Sequence, residues 1–237
     1  MTLARRITAE ALGSAFLLAA VAGSGIMGER LSGGNAAIAL LANTLATGAT
    51  LTTLILTFGP ISGAHFNPAV TLADATRSGM HWSDVPGYIG AQTVGSLFGM
   101  WTAHVMFGEK VLQVSQHARA GGAQMFSEFI AAFGLLSVIW GCGRLRAEAA
   151  PFAVGLYITG ACWFTASTSF ANPAVTLARS FTNTFAGIRP ADAPGFVAAQ
   201  LAGAFVATFL FRWLAPPISN QGPDFLVPQE HGSRHGR

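Results

Sequence analysis

The stretch Asn67-Pro68-Ala69-Val70-Thr71-Leu72-Ala73 returns unchanged as Asn172-Pro173-Ala174-Val175-Thr176-Leu177-Ala178, at an offset of 105 residues. A second pairing accompanies it. Asp84, Pro86, Gly87 and Gln92 recur as Asp192, Pro194, Gly195 and Gln200, at an offset of 108. An uninterrupted run of identities of this length does not arise by chance, so the chain reads as a duplication. Each copy is a short apolar segment, well under the ~20 helical residues that cross a bilayer core of about 30 Å. Asn is a favoured N-cap and Pro a favoured first helical residue, so each copy reads as a half-length helix starting at Asn67 or Asn172.

Around these segments lie six longer apolar runs, near Ile7–Met27, Asn35–Phe58, Pro86–Phe107, Ala123–Cys142, Pro151–Phe164 and Pro194–Pro216. Only 10% of the 237 residues are charged and 51% are hydrophobic, against roughly 25% charged in a soluble domain. A soluble enzyme, a disordered chain and a nucleic-acid binder are thereby disfavoured, and a net charge of +3 makes no basic patch. Six spans use roughly 120 residues, which leaves room for loops and no second domain. Arg5 and Arg6 before an apolar run have the look of a signal peptide. Glu10, however, has a counterpart at Glu128 in mid-chain, which favours a span. The two cysteines, Cys142 and Cys162, sit in apolar surroundings and make neither a disulfide framework nor a metal spacing.

The expected fold class is an all-α membrane protein: six transmembrane helices plus two re-entrant half-helices in two inverted three-helix repeats, residues 7–107 and 123–216, in a single domain of residues 1–237. Three spans per copy is odd, so the second copy starts on the opposite side of the membrane. The half-helices then enter from opposite faces and meet near the midplane. The loops before them, Gly63-Ala64-His65-Phe66 and Thr168-Ser169-Phe170-Ala171, carry irregular backbone at membrane depth. Such backbone is tolerated only inside protein or along a water-filled path. With both termini cytoplasmic, Arg5, Arg6, Arg77, Arg144, Arg146, Arg212, Arg234 and Arg237 lie inside. Arg30, Lys110, Arg119, Arg179 and Arg189 lie outside, in keeping with the positive-inside rule. Residues 219–237 read as a loose cytoplasmic tail.

Paired Asn-Pro-Ala motifs in inverted three-span halves resemble the aquaporin (major intrinsic protein) family, over essentially Ile7 to Pro216. Ser62-Gly63-Ala64-His65 before the first motif, Glu10 and Glu128, and Gln92 and Gln200 all sit where that family places them. The resemblance implies the aquaporin fold and a passive pore in each subunit of a homotetramer in a lipid bilayer. It implies no catalysis, cofactor or metal, and a small neutral solute. Asn67, Pro68, Ala69, Asn172, Pro173 and Ala174 would form the pore centre, each Asn both capping its helix and donating to a passing oxygen. Carbonyls of Gly63, Ala64, His65, Thr168 and Phe170 would line the path. Glu10, Glu128, Gln92 and Gln200 would brace the loops.

Most of the family carries Arg directly after the second motif, whereas Val175 stands there in this chain. Counting from the motifs puts Thr47 and Ser169 at two other constriction positions. The fourth falls on Gly160 counted back from Asn172, or on Cys162 counted forward from Gly155. Val and Thr in place of Arg and an aromatic widen the filter and remove its fixed charge. The second motif, with its Val, is similar to that of a bacterial subgroup associated with arsenic resistance. The resemblance thus implies an aquaglyceroporin-like channel in a bacterial inner membrane, passing glycerol-like polyols, arsenous acid and some water. An orthodox water channel and a proton-coupled carrier using Glu10 and Glu128 are the alternatives. Arg179, one turn beyond Val175, reads either as a charge at the outer mouth or as a surface cation on a helix C-terminus.

Overall fold

In the computed structural model, residues 1–215 are described; the end of the last apolar run at Pro216 and the expected tail, residues 219–237, lie outside them. The described residues fold into helices and loops with no strand. The first copy holds α1 (Leu3–Leu31), α2 (Ala36–Ser62), the short α3 (Pro68–Thr76) and α4 (Val85–Phe107). The second holds α5 (Gly122–Leu145), α6 (Ala150–Phe164), the short α7 (Pro173–Arg179) and α8 (Ala193–Leu214). Each α-helix of the first copy has its counterpart in the second, in the same order.

The sequence explains the ends of these elements. Asn67 and Asn172 hold nearly the same extended backbone, φ/ψ −153/117° and −154/114°. Their Oδ1 atoms accept from Ala69 N at 2.9 Å and from Ala174 N at 3.0 Å. Pro follows at the first helical position in both. At 1.5 Å per residue, α3 (9 residues) and α7 (7 residues) span about 14 and 10 Å, half a bilayer core or less. The helix α2 runs past the apolar run to Ser62 and stops at Gly63, whose left-handed φ of 87° a side chain would resist.

α1, α2, α5 and α8 are long and apolar enough to cross a membrane. α4 has the length but buries Gln92 and His104. α6 has only 15 residues, about 22 Å, and is preceded by a 3-10 turn at Ala147–Ala149. The fifth span is therefore shorter than the ~30 Å core on its own.

Within each copy α1 packs on α2 and α4, and α5 on α6 and α8; α2 meets α6 across the copies. Each half-helix packs on the last helix of both copies. Glycines allow the close crossings. A Cβ at Gly48 would fall 2.8 Å from Gly155 O, and one at Gly155 would fall 2.7 Å from Gly48 O. Lipid-sized apolar side chains such as Phe16, Leu45, Phe98, Phe152, Leu156 and Phe209 are exposed on the outside of the bundle.

Gly155→Val should therefore force α2 and α6 apart and cost at least the ~1–3 kcal/mol typical of overpacking. Gly90→Ala, where an added Cβ meets nothing within 4 Å, should cost nothing. Thermal unfolding of the detergent-solubilised variants checks both.

Candidate functional site

The two loops before the half-helices are built alike. Ala64 and Phe66 have φ of 50° and 48°, and their counterparts Ser169 and Ala171 both have 48°. Left-handed backbone at non-glycine residues costs of order 1–3 kcal/mol each and persists only where surroundings impose it. The surroundings here are two buried carboxylates. Glu10 Oε1 accepts from Ser62 Oγ at 2.7 Å and His65 N at 3.0 Å, and its Oε2 from Phe66 N and Gln92 Nε2, both at 2.7 Å. Glu128 accepts from Phe170 N at 2.9 Å, Ala171 N at 2.8 Å and Gln200 Nε2 at 2.6 Å. Gln92 and Gln200 also donate to Thr71 and Thr176, at 2.9 and 2.8 Å, in the half-helices. Both Glu and both Gln side chains are fully buried, and none lines the central cavity. This is bracing geometry, and a carboxylate whose lone pairs are taken by backbone N–H groups is poorly placed to shuttle protons.

The two Asn side chains lock the copies together. Asn67 Nδ2 donates to Ala171 O at 2.8 Å, and Asn172 Nδ2 donates to Phe66 O at 2.7 Å. Each amide has two N–H donors, so one serves the opposite loop and the other remains at the cavity that both residues line.

That cavity is walled by apolar side chains from both copies: Leu17, Val21, Leu51 and Ile55 from the first, and Leu135, Ile139, Val154 and Ile158 from the second. Ala64, His65 and Phe66, Asn67 and Asn172, and Thr168, Ser169 and Phe170 also line it. The carbonyls of Ala64, His65, Thr168, Ser169 and Phe170 accept no hydrogen bond among the described residues. Buried carbonyls demand a partner, and the cavity that these residues line offers the space for one.

The remaining site residues fall as follows. Thr47, Ser169, Val175 and Cys162 line the cavity. Thr47 Oγ1 and Ser169 Oγ are buried without a hydrogen-bond partner. Gly160, offered as an alternative to Cys162, is corrected by the structure: it is exposed, with nothing within 4 Å of an added Cβ, and is not on the cavity. Two residues turn a helix by about 200°, so only one of the pair can face inward. Gly63 is also off the cavity, spent as the cap of α2. Pro68, Ala69, Pro173 and Ala174 fix the helix starts behind the lining. Arg179 is 7% exposed and lines the cavity, so the surface-cation reading is replaced. Val70 and Phe185 also line it and went unnoticed in the sequence. Val70 was legible as the repeat partner of Val175.

His65 braces its loop, with Nδ1 3.1 Å from Thr71 Oγ1 and its ring against Tyr88. The connection between the copies is stitched over one end of the bundle, with Arg189 N to His117 O at 2.7 Å and Arg119 N to Asp192 Oδ2 at 2.8 Å. There the Arg189 guanidinium, donating to Asp192 at 2.9 Å, holds that carboxyl below its ordinary range.

The chain matches the profile of the major intrinsic protein family over residues 1–144 and 141–234. The chain belongs to the major intrinsic protein family. It is 55% identical to the aquaglyceroporin AqpS of Rhizobium meliloti (strain 1021), over 91% of this chain and 92% of that one. It is 30% identical to aquaporin NIP1-2 of Oryza sativa subsp. japonica, over 90% of this chain and 67% of that one. The X-ray structure of the aquaglyceroporin from Plasmodium falciparum superposes with a TM-score of 0.70 at 21% identity, covering 89% of this chain and 96% of that chain. As a major intrinsic protein the chain is an integral membrane channel protein and not an enzyme.

Glu128→Ala should leave the N–H groups of Phe170 and Ala171 and the Gln200 amide without an acceptor, at about 1–3 kcal/mol each. The thermal midpoint should fall, and solute uptake by Glu10→Gln should be as indifferent to a pH gradient as that of the parent. The Asp192 contribution is present above the carboxylate range and lost as pH falls through it. Acidification should lower the protection of amides in residues 109–120 relative to their intrinsic exchange rates, and Arg189→Gln should weaken that pH dependence.

Proposed function

We propose that this major intrinsic protein is a passive, ion-excluding pore for small uncharged hydroxylated solutes. The solutes are glycerol-like polyols and neutral trivalent metalloid hydroxides such as arsenous acid, with water as a lesser passenger. One observation carries the reading: a cavity with apolar walls on which free main-chain carbonyls, two Asn amide donors and two unpartnered hydroxyls form a polar track. A solute with several hydroxyls satisfies carbonyls and amides in turn while its carbon skeleton meets Leu, Ile and Val. A cation loses hydration against those walls and gets no compensating charge. The positive ends of α3 and α7, each up to about half a charge, meet where the two Asn residues meet, and they oppose cations and hydronium.

The small side chains at the expected constriction positions support the larger solutes. Val175 and Thr47 are compact and uncharged, and Ser169 adds a hydroxyl. Likeness to a curated aquaglyceroporin supports the polyol class, and the neutrality and size of arsenous acid place it in the same class. The pore acts in each subunit of a homotetramer, in a bacterial inner membrane with both termini cytoplasmic.

Proteoliposomes subjected to stopped-flow osmotic gradients test the reading. Glycerol and arsenite should enter far faster than through empty vesicles; fast water with no larger solute would overturn it. Val175→Arg should narrow the path and cut glycerol flux by roughly tenfold, with a smaller effect on water.

A further inference from the structure

Arg179 is a buried cation that the lining does not pair. It is the last residue of α7 and 7% exposed, and no carboxylate lies within ion-pair distance among the described residues. Its Nε donates to Ala186 O, and its guanidinium lies on the Phe170 ring with Cζ 3.4 Å from the centroid. The two terminal nitrogens take no hydrogen-bond partner among the described residues. A guanidinium desolvated without a counter-ion is costly, and an ionisable group at membrane depth marks a function.

Its direction follows from helix geometry. Side chains lean toward the N-terminus of their helix, so Arg179 reaches back along α7, and its head meets Phe170 in the loop before Asn172. The same loop is held from elsewhere by Arg119, which donates to Gly187 O at 2.9 Å and Ser167 O at 3.2 Å, with its Cζ 5.1 Å from the Phe170 centroid. Arg119 thus supplies the loop carbonyl with its donor, and Arg179 is left with its fork free on the cavity. Beside Phe170, Ser169 Oγ is buried and unpartnered on the same cavity, and Thr47 Oγ1 is as well.

We propose that Arg179 is a specificity-determining residue of this pore: its terminal nitrogens donate to hydroxyl oxygens of a neutral polyhydroxylated solute, and its fixed charge turns back cations. The Ser169 and Thr47 hydroxyls, able to donate or accept, complete the subsite. Position 175 carries no charge, and the cation it lacks arrives from one helical turn further on. This rests on the reading of the cavity as a passive pore.

Proteoliposomes carrying the parent protein, Arg179→Gln, Arg179→Lys and the pair Val175→Arg/Arg179→Val test the proposal. Potassium leak is read with a voltage-sensitive dye, and glycerol and water permeabilities by stopped flow. Arg179→Gln should raise the potassium leak roughly tenfold, the scale of removing one fixed charge. It should also lower the glycerol-to-water ratio roughly threefold, the scale of one hydrogen bond. Arg179→Lys should keep the ion exclusion and lose the ratio, because an ammonium lacks the fork. The paired variant should restore low leak. Parental leak and ratio in Arg179→Gln would overturn the proposal, as would equal loss of all fluxes in both single variants with no rescue by the pair. If Arg179→Gln does not fold, Arg179→Lys decides, and an unchanged ratio there overturns the proposal. A parent protein that passes neither glycerol nor water would overturn the pore reading, and the proposal with it.

Discussion

Two stretches of main chain, residues 63–66 and 168–171, run through the interior with no helix to satisfy their N–H and C=O groups, and the remaining architecture answers that need. The N–H groups go to Glu10 and Glu128, each aimed by a Gln on the last helix of its copy. Two serines close the small turns beneath: Ala64 N donates to Ser62 Oγ at 3.1 Å, and Ser169 N to Ser167 Oγ at 3.3 Å. Two of the carbonyls go to the Asn amide of the opposite copy. Those of Ala64, His65, Thr168, Ser169 and Phe170 belong to residues that line the cavity, so groups that would be a defect in a closed core become a polar track. A buried carboxylate is expensive when isolated, but here its lone pairs are filled by donors that themselves had no other partner.

The bracing obeys the repeat and the lining breaks it. Glu10 and Glu128, Gln92 and Gln200, Thr71 and Thr176, and Gly48 and Gly155 do the same task twice. His65 meets Tyr88 as Phe170 meets Phe196, with ring centroids 5.5 and 5.3 Å apart. On the cavity wall the partners differ: Thr47 with Val154, Ile55 with Cys162, Ala64 with Ser169, and near the ends Asp74 with Arg179. A symmetric lining would treat the two ends of the cavity alike. These exchanges put hydroxyls, a thiol and a guanidinium toward one end, the end to which α7 runs, while Asp74 is buried beside His65 off the cavity.

Much of this was legible in the sequence, and for the same reason that the fold works. Exact recurrence of the Asn-Pro-Ala segments located both half-helices, because N-cap and first-turn chemistry is local. Glu10 and Glu128 were legible as repeat partners. The choice between Gly160 and Cys162 was also latent in the repeat. Gly48 and Gly155 are 107 residues apart, and the same step carries Ile55, a lining residue, onto Cys162. Counting from Asn172 misled because the stretch joining α6 to α7 differs in length from that joining α2 to α3. The reach of Arg179 was not legible. Its Cα lies at the end of α7, and only the loop that brings Phe170 beneath the guanidinium decides where its charge sits. The reciprocal use of the Asn amides was likewise hidden, since it joins residues more than a hundred positions apart.

The electrostatics of the proposed pore then follow from what is missing as much as from what is present. Among the described residues the cavity wall has no carboxylate, so nothing there compensates a dehydrated cation. Its fixed charge is the Arg179 guanidinium, and its oriented dipoles are donors at the Asn pair and acceptors along the loops. A neutral hydroxyl group is matched by either kind and can pass from one to the next with little loss. A cation is attracted by the carbonyls but repelled at the two helix starts and again at Arg179, so no arrangement along the track favours it throughout. A free anion meets the reverse: it is drawn to Arg179 and the amides and then faces bare carbonyls and aliphatic walls. In the proposed pore, discrimination comes from donors and acceptors set on a path with apolar walls, which serve a solute that carries its own hydroxyls and do not hydrate a charge.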